Sequence, residues 1–123
     1  MNERCWVWVT ATENIPVREG RAVVLAGREV AIFNLGGDRF LATENRCPHK
    51  GGPLADGIVA GTSVVCPLHG WKINLQNGSV DRPASEATCV ETYPAQVDNG
   101  TIVIGLPAGW FDAPGKGSRV LGF

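Results

Sequence analysis

The chain has 123 residues, about one domain's length, of which 44% are hydrophobic and 19% charged, with a formal net charge of −1. Eleven Lys and Arg against 12 Asp and Glu leave no field suited to nucleic acid. The apolar content excludes a disordered chain, and no apolar run approaches the ~20 residues of a membrane span.

Sixteen Gly and 8 Pro point to many short strands joined by tight turns. Trp6-Val7-Trp8-Val9 predicts the first strand. Residues 22–25 and 29–35 are β-branched and apolar and predict the next two, with Gly27-Arg28 as the turn between them. Gly36-Gly37-Asp38 is a hairpin signal, followed by a strand over 39–43. Ser63-Val64-Val65 predicts a short strand. The alternation over 72–76 predicts another, closed by Asn77-Gly78. Residues 90–97 and 101–104 flank a third hairpin turn, Asn99-Gly100. No stretch sustains a helical period, so the expected class is all-β.

Two segments lack the strand pattern, residues 44–61 and residues 67–71. Both are rich in Gly and Pro, and loops on a rigid sheet are where sites lie. The stretch 108–123 has no periodicity and is expected to form a loosely docked tail; the alternative makes Trp110 and Phe111 anchors for a partner subunit. No secretory, transmembrane or lipidation signal is read at either end. A cytoplasmic location is therefore expected, where thiols stay reduced and serve metals more often than disulfides.

The chain holds 2 His and 4 Cys. The first loop reads Cys47-Pro48-His49-Lys50-Gly51-Gly52-Pro53-Leu54 and the second Cys66-Pro67-Leu68-His69-Gly70-Trp71. Each presents one thiol and one imidazole within a tight loop. A lone Cys or His is usually a buried, inert residue; two matched loops using every histidine are a different case. The set Cys47, His49, Cys66 and His69 suits one tetrahedral zinc ion or a [2Fe–2S] cluster with two thiolates on one iron and two imidazoles on the other. Cys-x-His is a tight pairing for one ion, which favours the cluster. Gly51, Gly52 and Gly70 would let backbone N–H groups approach the sulfides. Pro48 and Pro67 stiffen the loops, and Leu54, Leu68 and Trp71 would shield the centre from water. Cys5 and Cys89 have no metal-type neighbours and read as ordinary reduced thiols.

At these residues the chain resembles the Rieske [2Fe–2S] proteins, over a domain spanning about residues 6–107, with the tail outside it. Residues 44–54 and 57–61, the run Cys66-Pro67-Leu68-His69 with Trp71 to Leu75 and Asn77-Gly78, and the opening Trp6-Val7-Trp8-Val9 with the turn over 14–20 are similar to the small subunit of assimilatory NAD(P)H-dependent nitrite reductases. Gly70 departs from that group, which often carries Asn there, and matches the Rieske ferredoxins of aromatic-ring-hydroxylating dioxygenases. High-potential Rieske proteins place a disulfide where this chain has Gly52 and Leu68, and a serine where it has Trp71. Losing both implies a potential toward the low end of the Rieske range.

The resemblance implies a Rieske-type antiparallel β-sandwich carrying a small cluster-binding subdomain. It also implies an electron carrier that is not a complete enzyme, since the chain has no Ser-His-Asp set and no Gly-x-Gly-x-x-Gly fingerprint. The implied partner is a larger redox protein, the siroheme- and FAD-containing large subunit that reduces nitrite to ammonia in nitrate assimilation. Docking is expected around His49 and His69, with Arg46, Lys50 and Lys72 either steering an acidic partner or lying solvated at the rim. The alternatives are a dioxygenase ferredoxin and a zinc-stabilised structural β-domain.

Overall fold

The computed structural model describes residues 4–47, 52–68, 70–82, 89–111 and 119–120. Alternation of apolar and polar residues places the first strand, β1 (Arg4–Ala11), with Val7 and Val9 facing inward and Trp6 and Trp8 outward. It pairs antiparallel with β11 (Thr101–Pro107), which pairs in turn with β10 (Ala95–Asp98). These three strands form one sheet.

A second sheet holds β2 (Gly20–Leu25), β3 (Arg28–Gly36), β4 (Arg39–Glu44) and β9 (Thr92–Tyr93), with β12 (Arg119–Val120) along the free side of β2. The third is a meander of three-residue strands: β5 (Ile58–Ala60), β6 (Ser63–Val65), β7 (Lys72–Asn74) and β8 (Val80–Arg82).

The five-stranded sheet is a wall between two cores. Val30 and Ile32 of β3 face a core closed by the three-stranded sheet, with Val23, Phe40, Ile102, Ile104 and Leu106. Ala31 and Phe33 face the other way, into a core with Leu54, Val64, Ile73, Leu75, Cys47 and Cys66. Every residue from Val30 to Asn34 is buried, because both faces of this strand are covered. The four-stranded meander and the described residues between 45 and 90 form a tip on the second face. They leave from β4 and return to β9, which pair at Ala42↔Tyr93 and Thr43↔Thr92. The Glu44 and Glu91 amides extend that pairing, donating to the Glu91 carbonyl (3.0 Å) and to Glu44 Oε1 (3.1 Å). Among the described residues no helix is long and apolar enough to cross a membrane.

The all-β class and the sandwich-plus-tip architecture match expectation, with local corrections. The turn joining β2 to β3 is Ala26-Gly27, both at positive φ (52° and 79°), so Arg28 lies in the strand. The strand expected over 72–76 ends at Asn74, whose side-chain oxygen accepts from the Gln76 amide (2.8 Å) and turns the chain. The strand expected over 90–97 is broken by Pro94 into β9 and β10. The segment 44–61, expected to be strandless, carries a 3₁₀ turn (Leu54–Asp56) and β5.

Trp110 also differs from expectation. Residues Ala108–Phe111 form a 3₁₀ turn that buries Trp110 in the sandwich core, edge-on to Tyr93 (5.1 Å between ring centroids) and beneath the Arg28 guanidinium (4.6 Å). Its ring is used internally, and is not an exposed anchor for a partner.

Candidate metal centre

The two predicted loops sit at the ends of short pairings and are closed in the same way. Cys47 follows β4, and its amide donates to the Gly52 carbonyl (2.8 Å). Cys66 follows β6, and its amide donates to the Trp71 carbonyl (2.7 Å), while its own carbonyl accepts from Gly70 N (3.1 Å). Each cysteine is thus bonded to the residue five positions later, and this shared rung holds both loops tight. The sequence likeness between the loops extends to this one backbone bond.

The loops also face each other. A Cβ built on Gly52 would lie 2.7 Å from Leu68 Cδ1 and 3.5 Å from Cys66 Sγ. A side chain at 52 would crowd Leu68, so glycine lets the first loop lie against the second, within ordinary contact distance of the Cys66 sulfur. Cys47 and Cys66 are 1% and 2% exposed and belong to one apolar cluster, walled by Leu54 and Val64, with Trp71 packed against it. Leu68 is half exposed, on the outer side. Two buried sulfur donors on facing loops, with apolar residues excluding water, suit a thiolate-ligated metal group in kind and position. The other two candidates, His49 and His69, lie outside the described residues, as do Pro48, Lys50 and Gly51.

Cys5 is half-buried in β1 opposite Leu106. Cys89 is exposed and bridges to Ser79. Of the expected rim, Arg46 is exposed and Lys72 partly so.

One residue was missed from the sequence. Asn45, nine-tenths buried, accepts from the Ala55 amide through Oδ1 (2.8 Å) and donates through Nδ2 to Glu29 Oε1 (2.9 Å). Its amide donates to the Glu29 carbonyl (3.2 Å). A polar residue two places before Cys47 carries no spacing signal, because its partners lie 10 and 16 residues away.

Residues 5–94 match the family model for the Rieske [2Fe-2S] domain. The ferredoxin subunit of 3-phenylpropionate/cinnamic acid dioxygenase from Shigella flexneri is 35% identical over 94 residues, covering 74% of this chain and 86% of that one. Oxidoreductase NdmD of Pseudomonas putida is 33% identical over 113 residues; the match takes in 85% of this chain but only 19% of that protein. The structure of a candidate NADH-dependent nitrite reductase small subunit from Mycobacterium tuberculosis superposes with a TM-score of 0.76 at 29% identity, covering 85% of this chain and 97% of the other.

Proposed function

The chain belongs to the Rieske [2Fe–2S] family, whose cofactor is a [2Fe–2S] cluster, and from that premise we propose that it is the electron-transfer small subunit of an NAD(P)H-dependent nitrite reductase. When bound, the cluster supplies one-electron redox chemistry. Cys47 and Cys66 hold one iron as thiolates, and His49 and His69 hold the other through imidazole nitrogens. The observation that supports this reading most is the packing of Gly52 against Leu68 and Cys66, which sets the first loop beside the second.

The protein's part is to bind, shield and tune. The rungs from the Cys47 and Cys66 amides fix where each sulfur emerges. Leu54 and Val64 keep water from the thiolate side, which raises the weight of every nearby dipole. Gly52 and Leu68 meet where high-potential relatives place a disulfide, and Trp71 stands where they place a serine donor. A low potential within the Rieske range follows, suited to a carrier between a nicotinamide-driven flavin and siroheme and unsuited to quinol oxidation. The partner is the siroheme- and FAD-containing large subunit, and the setting is the cytoplasm. The likeness to the Mycobacterium tuberculosis structure supports this reading.

A second reading, the ferredoxin of a ring-hydroxylating dioxygenase, is favoured by Gly70 and by the Shigella flexneri relative. Affinity purification from the source cells separates the two. Co-purification of a siroheme flavoprotein is the expected result; a terminal oxygenase in its place would establish the second reading. Iron and acid-labile sulfide in equal amounts are expected in the anaerobically purified chain. One zinc and no sulfide would overturn both readings in favour of a structural zinc domain.

A further inference from the structure

We infer that Asn45 is a positioning residue for the metal centre, a clamp that ties both ends of the first ligand loop to the wall strand β3. The inference rests on the cluster reading above, but its geometry stands on its own. The first loop leaves β4 at Glu44 and re-enters regular structure at the 3₁₀ turn Leu54–Asp56. Between these points the Cys47–Gly52 rung closes the inner part of the loop. Asn45 closes the outer part, because its Oδ1 takes the Ala55 amide across the loop's mouth (2.8 Å).

The same side chain is held from behind. Its Nδ2 donates to Glu29 Oε1 (2.9 Å), and its amide donates to the Glu29 carbonyl (3.2 Å). Glu29 belongs to β3, whose next residues form the floor of both cores. One amide side chain therefore uses both its acceptor and its donor to join β3, the loop entry and the loop exit. The residue is nine-tenths buried and Ala55 is 6% exposed, so water cannot replace the lost bond at low cost. Only an amide supplies both roles here. A carboxylate at 45 would keep the acceptor for Ala55 but would face the Glu29 carboxylate with no proton between them.

That reciprocity sets the experiment. In the full-length chain, Asn45→Ala, Asn45→Asp and the double variant Asn45→Asp/Glu29→Gln are compared. The double variant reverses the polarity, with the new amide at 29 donating to the new carboxylate at 45. Hydrogen exchange of the Ala55 amide is read in the metal-free chain. Iron loss to a chelator and the midpoint potential are read in the loaded chain. Asn45→Ala is expected to speed Ala55 exchange and iron loss by roughly tenfold each, the size of one lost buried hydrogen bond. Amides of β2 and β3 should stay protected. Asn45→Asp should shift the midpoint, and the double variant should restore both rates toward those of the parent. Parental exchange and iron retention in Asn45→Ala would overturn the clamp, as would losses in Asn45→Asp that the double variant leaves unrescued. A parent chain that binds no iron and sulfide would defeat the cluster reading, while the exchange arm would still test the clamp.

Discussion

The sandwich core is closed by β1 and β11, strands of 8 and 7 residues that pair along nearly their full length, whereas the tip core is closed by four strands of 3 residues each. The sandwich draws its order from many equivalent ladder bonds and from apolar residues at strand period. The tip draws its order from individual contacts: two matched cysteine rungs, the bonds of Asn45, and glycines that let one segment lie against another. In the sandwich each contact is one among many similar ones, so losing one is tolerable. In the tip the ladders are short, so particular contacts carry a larger share of the order.

The sharpest break in this comparison is a ligand substitution. Cys66→Ser is expected to abolish the visible spectrum and the iron content while far-UV circular dichroism of the sandwich persists. Cys89→Ser, at an exposed bridge position, should keep both. Retained iron in Cys66→Ser would remove that residue from the ligand set.

Phe33→Ala strikes the wall between the cores. The ring is fully buried, and the neighbouring backbone at Gly20 lies so close that a Cβ there would come within 2.8 Å of it. A loss of about 3–5 kcal/mol in urea denaturation is expected, felt by sandwich and tip together. Separate transitions for the two, with only one displaced, would show that the wall does not couple them.

The single tyrosine reports on the sandwich by pH. Burial, aided by the charge and hydrogen bond of Glu91 and by Glu44 and opposed by Arg28, holds the Tyr93 phenol well above its ordinary value of 10.0. The folded state thus favours the neutral phenol. The contribution is fully present below pH ~10 and declines above it, as the unfolded chain releases the proton first. Stability should fall by at most ~1.4 kcal/mol per pH unit there. Tyrosinate absorbance should rise only with loss of circular dichroism. Its appearance near pH ~10 in a folded chain would contradict the buried setting.

Glycines separate tip from sandwich more finely. A Cβ at Gly78 would meet the Val90 carbonyl oxygen at 2.0 Å, at φ +79°, whereas at Gly100 (φ +77°) it would meet nothing within 4 Å. Gly78→Ala should cost about 2–3 kcal/mol and Gly100→Ala about 1 kcal/mol, the latter from conformation alone. Equal losses by thermal denaturation would mean that the close approach in the tip is relieved by movement. The smallest effect belongs to Arg28→Met, where loss of the cation over Trp110 should cost about 0.5–1 kcal/mol; a larger drop in denaturation midpoint would show that Arg28 does more than cover the ring.

Legibility in the sequence follows the same division. Long strands of the sandwich declare themselves by apolar runs and by turn pairs such as Asn99-Gly100, because period and turn chemistry are local. β5 does not: it is three residues long, Ile58 is 72% exposed, and it lies in a Gly- and Pro-rich stretch. The burial of Trp110, offered in the sequence only as a candidate anchor, is not legible locally because its partners, Arg28 and Tyr93, are distant in the chain. Cys47 and Cys66 stand out as candidates in the sequence because metal ligation needs particular residue types at close spacing, and the structure buries both. Asn45 does not stand out, since its value arises only when Glu29 and Ala55 are brought to it.

The meeting of β4 with β9 bears on modularity. Residues 45–90 leave and return through adjacent, bonded strands, so the tip is topologically an insert whose ends need no separating span. A short turn from Glu44 to Glu91 would reconnect the sandwich without threading the chain elsewhere. The graft is not independent of its host, however. Removing it would bare Ala31 and Phe33 on the wall and leave Glu29 without the amide it accepts from. What is portable between scaffolds is the insert together with the alternate positions of the strands beneath it: a cassette defined by one face of a sheet as well as by a continuous stretch of chain.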